Sequence, residues 1–470
     1  MASKGKSRWA ETEEDAELAA RQKREKEEKK RMKAEKARRQ QEALEAQKAK
    51  EATAATQEDG DDGRPVKRRR LSPEASATNG TGEAASNTAP KLLRFNGGGF
   101  GKCRSVENYD KLNDIEEGAY GWVARAKELA TGKIVALKRL KIDPKDRSGL
   151  PVTGLREIQI LRDCDHRNVV KLKEVVVGED TRKIENIFLA LEFVEHDLKS
   201  ILEDMPEPFL ASEVKTLLLQ LASGVSYLHD HWILHRDLKT SNLLLNNRGQ
   251  LKIADFGMAR YVGDPPPPKL TQLVVTLWYR APELLLGASR YGAAIDMWSI
   301  GCIFGELLTR EPLLQGKNEV DELGLIFDLC GVPNEDSWPG FRRLPNARSL
   351  RLPSGKDART AGSAIRVRFP LLTTAGVSLL NGLLALDPEK RPTAKEMLAH
   401  EYFRQDPKPK QEAMFPTFPS KAGQERRRRR ETPNAPMRGG AAEIGAVDFS
   451  GIFTGREREE KGGGFALRMV

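Results

Sequence analysis

The 470-residue chain reads as an α+β protein in which a small sheet-rich lobe precedes a larger helical lobe, with a cleft between them. Three observations predict this. Charge is unevenly spread: residues 1–108 carry a net +6, residues 109–403 a net −1 and residues 404–470 a net +5, so a nearly neutral folded middle lies between two basic, largely disordered tails. Strand-like text opens the middle, from Tyr109 to Lys127 and from Lys133 to Leu140, joined by a Thr131-Gly132 turn. Helical text begins at Leu155, and after one more strand, Asn186 to Phe193, the chain is mainly helical with stops at Pro and Gly.

The tails come first. Residues 1–50 hold 27 charged residues and, besides Met1, only Trp9, Leu18, Met32 and Leu44 as large apolar ones, too little to offset the entropy of ordering. They read as a solvated, fluctuating helix rather than a specific partner helix. Residues 51–90 read as linker. Within it, Pro65 to Leu71 is a compact basic run, followed by Ser72-Pro73 as a candidate phosphorylation site. Nuclear targeting is the expectation there, with importin as the reader, and the Arg426 to Arg430 run in the other tail could serve the same purpose or touch RNA. Cys103, Cys164, Cys302 and Cys330 form no C-x-x-C pair, which argues against a zinc ribbon or a disulfide framework. No charge-free stretch of about 18 apolar residues exists, so a soluble intracellular protein without a membrane partner is expected.

Chemistry concentrates in the middle. Gly118-Ala119-Tyr120-Gly121 lies between two strands, where a glycine turn brings backbone N–H groups close to phosphate oxygens. By itself a strand turn explains it equally well, since Glu116 stands where a full glycine-rich loop has its first glycine. The next strand ends in Lys138, and a buried lysine needs an anionic partner, which Glu157 in the following helix could supply. Further on, His235-Arg236-Asp237-Leu238-Lys239 leads to Asn242, and Asp255-Phe256-Gly257 follows. Two acids and an amide at this spacing suit a hydroxyl-orienting base plus two oxygen ligands for Mg2+.

Together with Ala281-Pro282-Glu283, these segments stand in the order of a phosphoryl-transfer site. On those motifs, Tyr109 to Phe403 resembles a complete serine/threonine protein kinase of bilobal fold, about two-thirds of the chain. Pro151 to Glu157 is similar to the PSTAIRE-type helix of cyclin-dependent kinases. Ile115 to Gly118, Val194 to Ser200, Ile233 to Leu245 and Phe415 to Lys421 resemble the PITSLRE subgroup in particular.

The resemblance implies roles. Lys138 would hold the ATP phosphates and pair with Glu157. Asn242 and Asp255 would ligate Mg2+, Asp237 would accept the substrate proton, and Lys239 would lie beside the transferred group. Leu191 falls at the gatekeeper position, and Glu192 and Val194 would present backbone groups to adenine between Ile115, Val123, Ala136 and Leu244, with Gly118, Ala119, Tyr120 and Gly121 over the phosphates. Thr271 would be the activating phosphothreonine, received by Arg156, Arg236 and Arg260. Val275 and Arg280 match positions that favour proline after the target residue. Ala119 stands where many relatives carry an inhibitory threonine, leaving Tyr120 for that control. Glu283 with Arg391 would lock the helical lobe around Asp296 and Trp298. Pro265 to Pro268 stiffen the activation loop with no functional account.

The expected activity is transfer of the ATP γ-phosphate to Ser or Thr of nuclear proteins, in transcription, pre-mRNA processing or cell-cycle control, with a cyclin of the splicing-linked type as partner. The lone chain should be nearly inactive until a cyclin swings the helix inward and closes the Lys138–Glu157 pair. Two rivals are weighed. A catalytically inactive cyclin-binding scaffold conflicts with every catalytic position being filled, and a small-molecule kinase conflicts with the peptide-platform text from Val274 to Arg280.

Overall fold

Alternating burial in β4 (Ile134–Leu140) shows how the small lobe forms: Val135 and Leu137 go fully inward while Ile134 and Ala136 stay half-buried. The computed structural model describes residues 102–118, 121–140, 150–178, 187–263, 267, 269–348, 350, 352 and 363–419. The basic runs, Ser72, Ala119, Tyr120, Pro265, Pro266 and Pro268 lie outside the described residues. The other strands of the six-stranded sheet are β1 (Arg104–Ser105), β2 (Tyr109–Gly118), β3 (Gly121–Glu128), β5 (Leu172–Val177) and β6 (Ile187–Glu192), in the order β1-β5-β6-β4-β3-β2. Gly118 pairs with Gly121, so β2 and β3 form the expected hairpin. Gly132, at φ 68°, turns β3 into β4 and donates its N–H to Glu128 O at 2.8 Å.

Helix α1 (Val152–Asp163) starts three residues before the expected Leu155. Pro151, at φ −61°, precedes it in extended conformation and lacks only an N–H that no helix start could bond. Ile160 and Leu161 bury one face, while Val152 and Leu155 stay about half exposed on another.

The helical lobe follows: α2 (Leu198–Asp204), capped by Asp197, then α3 (Ala211–Asp230), α4 (Pro282–Leu285), α5 (Ala294–Thr309), α6 (Glu319–Cys330), α7 (Ile365–Arg368), α8 (Thr374–Leu383) and α9 (Ala394–Ala399). Short strand pairs sit at the lobe junction. One sheet holds β7 (His196–Asp197), β9 (Leu243–Leu245) and β10 (Leu251–Ile253), and another pairs β8 (Ile233–Leu234) with β11 (Arg260–Tyr261). Helix α5 is buried on nearly all sides, which its mostly apolar text requires. One apolar cluster runs from Leu140 and Leu161 through Leu217 to Trp298 and Phe304, joining the two lobes.

The folded unit continues past Phe403. Residues 404–419 lie against the helical lobe as a strap: Lys215, 1% exposed, donates to Gln405 O and Pro407 O, both at 2.8 Å. Thr216 bonds Lys410 O at 2.7 Å, and Arg167 grips Glu412 with two bonds at 2.9 and 2.7 Å. Passage over Gly249 requires glycine, because a Cβ there would lie 2.3 Å from Glu412 O. Phe415 and Phe418 then pack against Phe209, with Phe418 also edge-on to His196. Among the described residues, no helix is long and apolar enough to cross a membrane.

Candidate active site

Strand β4 and helix α1 bring Lys138 and Glu157 together: Nζ lies 2.6 Å from Glu157 Oε1, with both side chains buried. Nζ also donates to Asp255 Oδ1 at 2.9 Å. Burial alone would push the lysine pKa down, but the carboxylates of Asp255 and Glu157 outweigh it and hold the ammonium well above its ordinary value. Asp255 experiences the reverse: burial favours its neutral form, and the ammonium beside it wins, lowering its pKa.

This corrects the expectation of an open pair. In the chain alone Lys138 and Glu157 are already closed, because a lysine withdrawn from water is stabilised only by a counter-charge within contact distance.

The catalytic loop is anchored from below. Asp296, on α5, is fully buried and accepts the backbone N–H groups of His235 at 3.0 Å and Arg236 at 2.9 Å, while His229 Nε2 lies 3.0 Å away. These bonds hold Arg236 at φ 62°, a left-handed conformation that non-glycine residues adopt at a cost. The His235 ring, fully buried, packs edge-on against Phe256, and burial holds its pKa down.

Asp237 then projects with both oxygens engaged. Oδ1 accepts from Thr276 N at 3.0 Å and Thr276 Oγ1 at 2.8 Å, and Oδ2 accepts from Lys239 Nζ at 3.1 Å. Asn242 Nδ2 donates to Asp237 O at 2.8 Å, which leaves the amide oxygen as a donor atom for a cation. An amide oxygen and the Asp255 carboxylate form a small, hard oxygen set. That fits Mg2+, which takes few protein ligands and fills the rest of its shell from phosphates and water. Among the described residues no group of three or more His, Cys, Asp or Glu side chains is placed to hold a metal ion.

The positions expected to contact adenine share a burial pattern. Ile115, Val123, Ala136 and Leu191 are half-buried while their strand neighbours Ala124, Val135 and Leu137 are fully buried. Ala136 pairs with Leu191, and Val123 with Lys138, so the apolar roof continues directly into the charged centre. Leu244, half-buried on β9 and paired with Asp197, is in register to form the floor, and the backbone of Glu192 and Val194 joins the lobes. Gly118 and Gly121 close the hairpin above, though the residues between them lie outside the described set.

Two further clusters gather near the loop from His235 to Asp237. Arg156, Arg236 and Arg260 are close enough that the last two, after desolvation, lower the pKa of Arg156. Arg236 also bonds Tyr291 Oη at 3.0 Å, which donates to the backbone oxygen of exposed Thr271 at 2.6 Å. Val275 stands at φ 65°, and its carbonyl accepts from Arg280 Nη2 at 3.1 Å, while Arg280 Nη1 lies 2.6 Å from Glu319 Oε1. Glu283 and Arg391 make the expected pair, two bonds at 2.7 Å with both side chains buried and Arg391 over the Trp298 ring.

Sequence reasoning missed Thr276 as a hydrogen-bond partner of the catalytic carboxylate, Tyr291, Glu319 and the whole Lys215 anchor. A threonine or a lysine carries no signal without its neighbours.

Residues 109–403 match the family model described as protein kinase domain. Cyclin-dependent kinase G-1 of Oryza sativa subsp. indica is 53% identical over 69% of this chain and 46% of its own length. Serine/threonine-protein kinase ppk23 of Schizosaccharomyces pombe is 53% identical over 68% of this chain and 78% of its own. Cyclin-dependent kinase 11B of Homo sapiens is 48% identical over 78% of this chain and 46% of its own. The chain spans about half the length of the rice and human relatives.

Proposed function

Since the chain belongs to the protein kinase family, beside relatives named cyclin-dependent kinases, we propose that it is a cyclin-dependent serine/threonine kinase acting on Ser-Pro and Thr-Pro sites of nuclear proteins. Val275 carries the choice of a protein substrate. Its left-handed backbone turns the carbonyl into Arg280, so the platform offers no acceptor to the N–H of the residue after the target, and proline has no N–H to leave unsatisfied.

In the reaction the substrate hydroxyl oxygen attacks the γ-phosphorus of ATP, the bond from that phosphorus to the β-γ bridging oxygen breaks, and ADP leaves. Asp237 orients the hydroxyl and accepts its proton. Lys239, already on Asp237 Oδ2 and 3.1 Å from Thr276 Oγ1, is in place to neutralise the transferring group. Lys138 holds the non-reacting phosphates, while Glu157 fixes the lysine. Mg2+, held by Asn242 and Asp255, would neutralise phosphate charge.

Val152 and Leu155 supply a docking surface for the cyclin. They are 58% and 51% exposed and three residues apart on α1, so they share a face, and a partner seated there would hold Glu157 inward. Roles in transcription, pre-mRNA processing or cell-cycle control, and a splicing-linked cyclin, rest on the PITSLRE resemblance. Nuclear import or RNA contact would fall to the basic runs, and replacing Lys67 to Arg70 and Arg426 to Arg430 by Ala should shift the protein toward the cytoplasm.

The direct test is turnover of a peptide pair differing only in Pro or Ala after the serine, by the chain co-purified with its cyclin. A preference of tenfold or more for proline is expected, and equal rates would refute the reading.

A further inference from the structure

The segment from Glu192 to His196 joins the lobes, and both of its ends are tied to the strap. At the start, Glu192 Oε2 lies 2.9 Å from Lys252 Nζ, and that ammonium, on a residue 6% exposed in β10, also donates to Arg167 O at 2.9 Å. The Arg167 side chain in turn holds Glu412. At the other end, His196 is 5% exposed, and its Nε2 lies 3.3 Å from Asn247 Oδ1, the same oxygen that accepts the Phe418 N–H at 3.0 Å. The Phe418 ring stands edge-on to both His196 and Phe209, with centroids 5.9 and 6.3 Å away.

The two ties differ in strength. The Arg167 side chain is more than half exposed, so its pair with Glu412 sits in water and contributes little. Phe418 instead presents an aromatic ring to a buried histidine and shares one acceptor with it. What His196 positions is the proposed adenine floor. It pairs with Leu245, and its neighbour Asp197 pairs with Leu244, so the placement of Leu244 relative to the Glu192 and Val194 backbone depends on how β7 lies. Bonds from the strap to Lys215, Thr216 and Glu213 on α3 fix its path toward that point.

We propose that Phe418 is a positioning residue for ATP: seated against His196 and Asn247, it holds β7 in place and so presets the adenine site. The inference rests on the kinase reading above. An aromatic anchor outside the site leaves less freedom for the nucleotide to remove on binding, so its loss lowers affinity. Asp237 has a separate support, the bonds from the His235 and Arg236 amides to Asp296. The rate at saturating ATP should therefore not depend on Phe418.

The test is ADP affinity by calorimetry, with steady-state kinetics, on the full chain co-purified with its cyclin. Phe418→Ala should raise the Kd of ADP and the KM for ATP about three- to tenfold, the scale of one ordered side chain, with kcat and the KM for a Ser-Pro peptide unchanged. Asn247→Ala removes the acceptor that Phe418 and His196 share and should act in the same direction. The double variant should lose less than the product of the two, because both act on one path. Met414→Ala, on the same strap but 63% exposed, should alter neither constant. If the ATP and peptide constants, kcat and the melting temperature all worsen together, Phe418 only stabilises the fold and the inference fails. Unchanged ADP affinity in both Phe418→Ala and Asn247→Ala also overturns it, while the kinase reading stands on peptide turnover by the unsubstituted complex. An unsubstituted complex that neither binds ADP nor phosphorylates the peptide refutes the kinase reading itself.

Discussion

Thr276 donates twice to Asp237, through its backbone N–H at 3.0 Å and its hydroxyl at 2.8 Å, so the segment proposed to receive the substrate also orients the carboxylate proposed as the base. Asp237→Asn should keep the fold and nucleotide binding but lower turnover by about 10²–10⁴-fold, the usual contribution of a positioned general base. Thr276→Ala should lower kcat less, since Lys239 still holds Oδ2. Steady-state kinetics at fixed cyclin and ATP check both, and less than a tenfold loss in Asp237→Asn would remove the base assignment.

Arg156, Arg236 and Arg260 come from α1, the catalytic loop and β11, and without an anion they repel one another. A phosphate on Thr271 could pair with all three through charge-assisted bonds. Thr271→Ala should therefore lower cyclin-bound activity by about tenfold or more, ~1.4 kcal/mol. Glu would substitute poorly, offering one charge and two oxygens. Activity before and after phosphatase treatment is the measurement; equal rates with Thr271 dephosphorylated would exclude the switch.

The exposed face of α1 gives an interface prediction. Val152→Asp with Leu155→Asp leaves Ile160 and Leu161 in the core, so the melting temperature of the chain alone should barely move. Cyclin affinity should fall by about 30-fold or more, the scale of losing a central apolar anchor. Unaltered co-purification would assign the cyclin to another surface.

Glu322 predicts a pH effect. It is fully buried on α6, Oε2 accepts from Gly316 N at 2.7 Å, and Oε1 has no hydrogen-bond partner among the described residues. Burial raises its pKa to about 8, against 4.5 for an ordinary glutamate. The folded state then binds a proton that the unfolded state has released, so this group lowers stability progressively as pH rises from about 4.5 to about 8 and no further above that. Glu322→Gln keeps an acceptor for Gly316 and cannot ionise. Urea unfolding at pH 5.5 and 8.5 should give the variant a smaller stability difference than the unsubstituted chain, and an identical difference would mean Glu322 titrates normally.

Much of this site was legible in the sequence because its chemistry demands particular residue types in a fixed local order. Asp237, Lys239 and Asn242 lie within six residues, Lys138 and Glu157 stand inside β4 and α1, and Asp255 follows the apolar strand β10. The lobes and the hairpin followed from local text, whereas the Glu283–Arg391 lock, between residues 108 positions apart, came only from the family resemblance. Tertiary structure decided the rest. That Lys138 is already paired depends on how deeply α1 buries it, and burial is a property of the neighbours. Thr276 reaches Asp237 across 39 positions, and the α5 residue Asp296 meets the His235 amide across 61. The strap is the clearest case: Lys215 reads as a surface lysine on a helix, yet it is 1% exposed and bonds oxygens at 405 and 407. Local order is written in local preference, whereas a contact between distant segments exists only once the core has closed and fixed the distance between them.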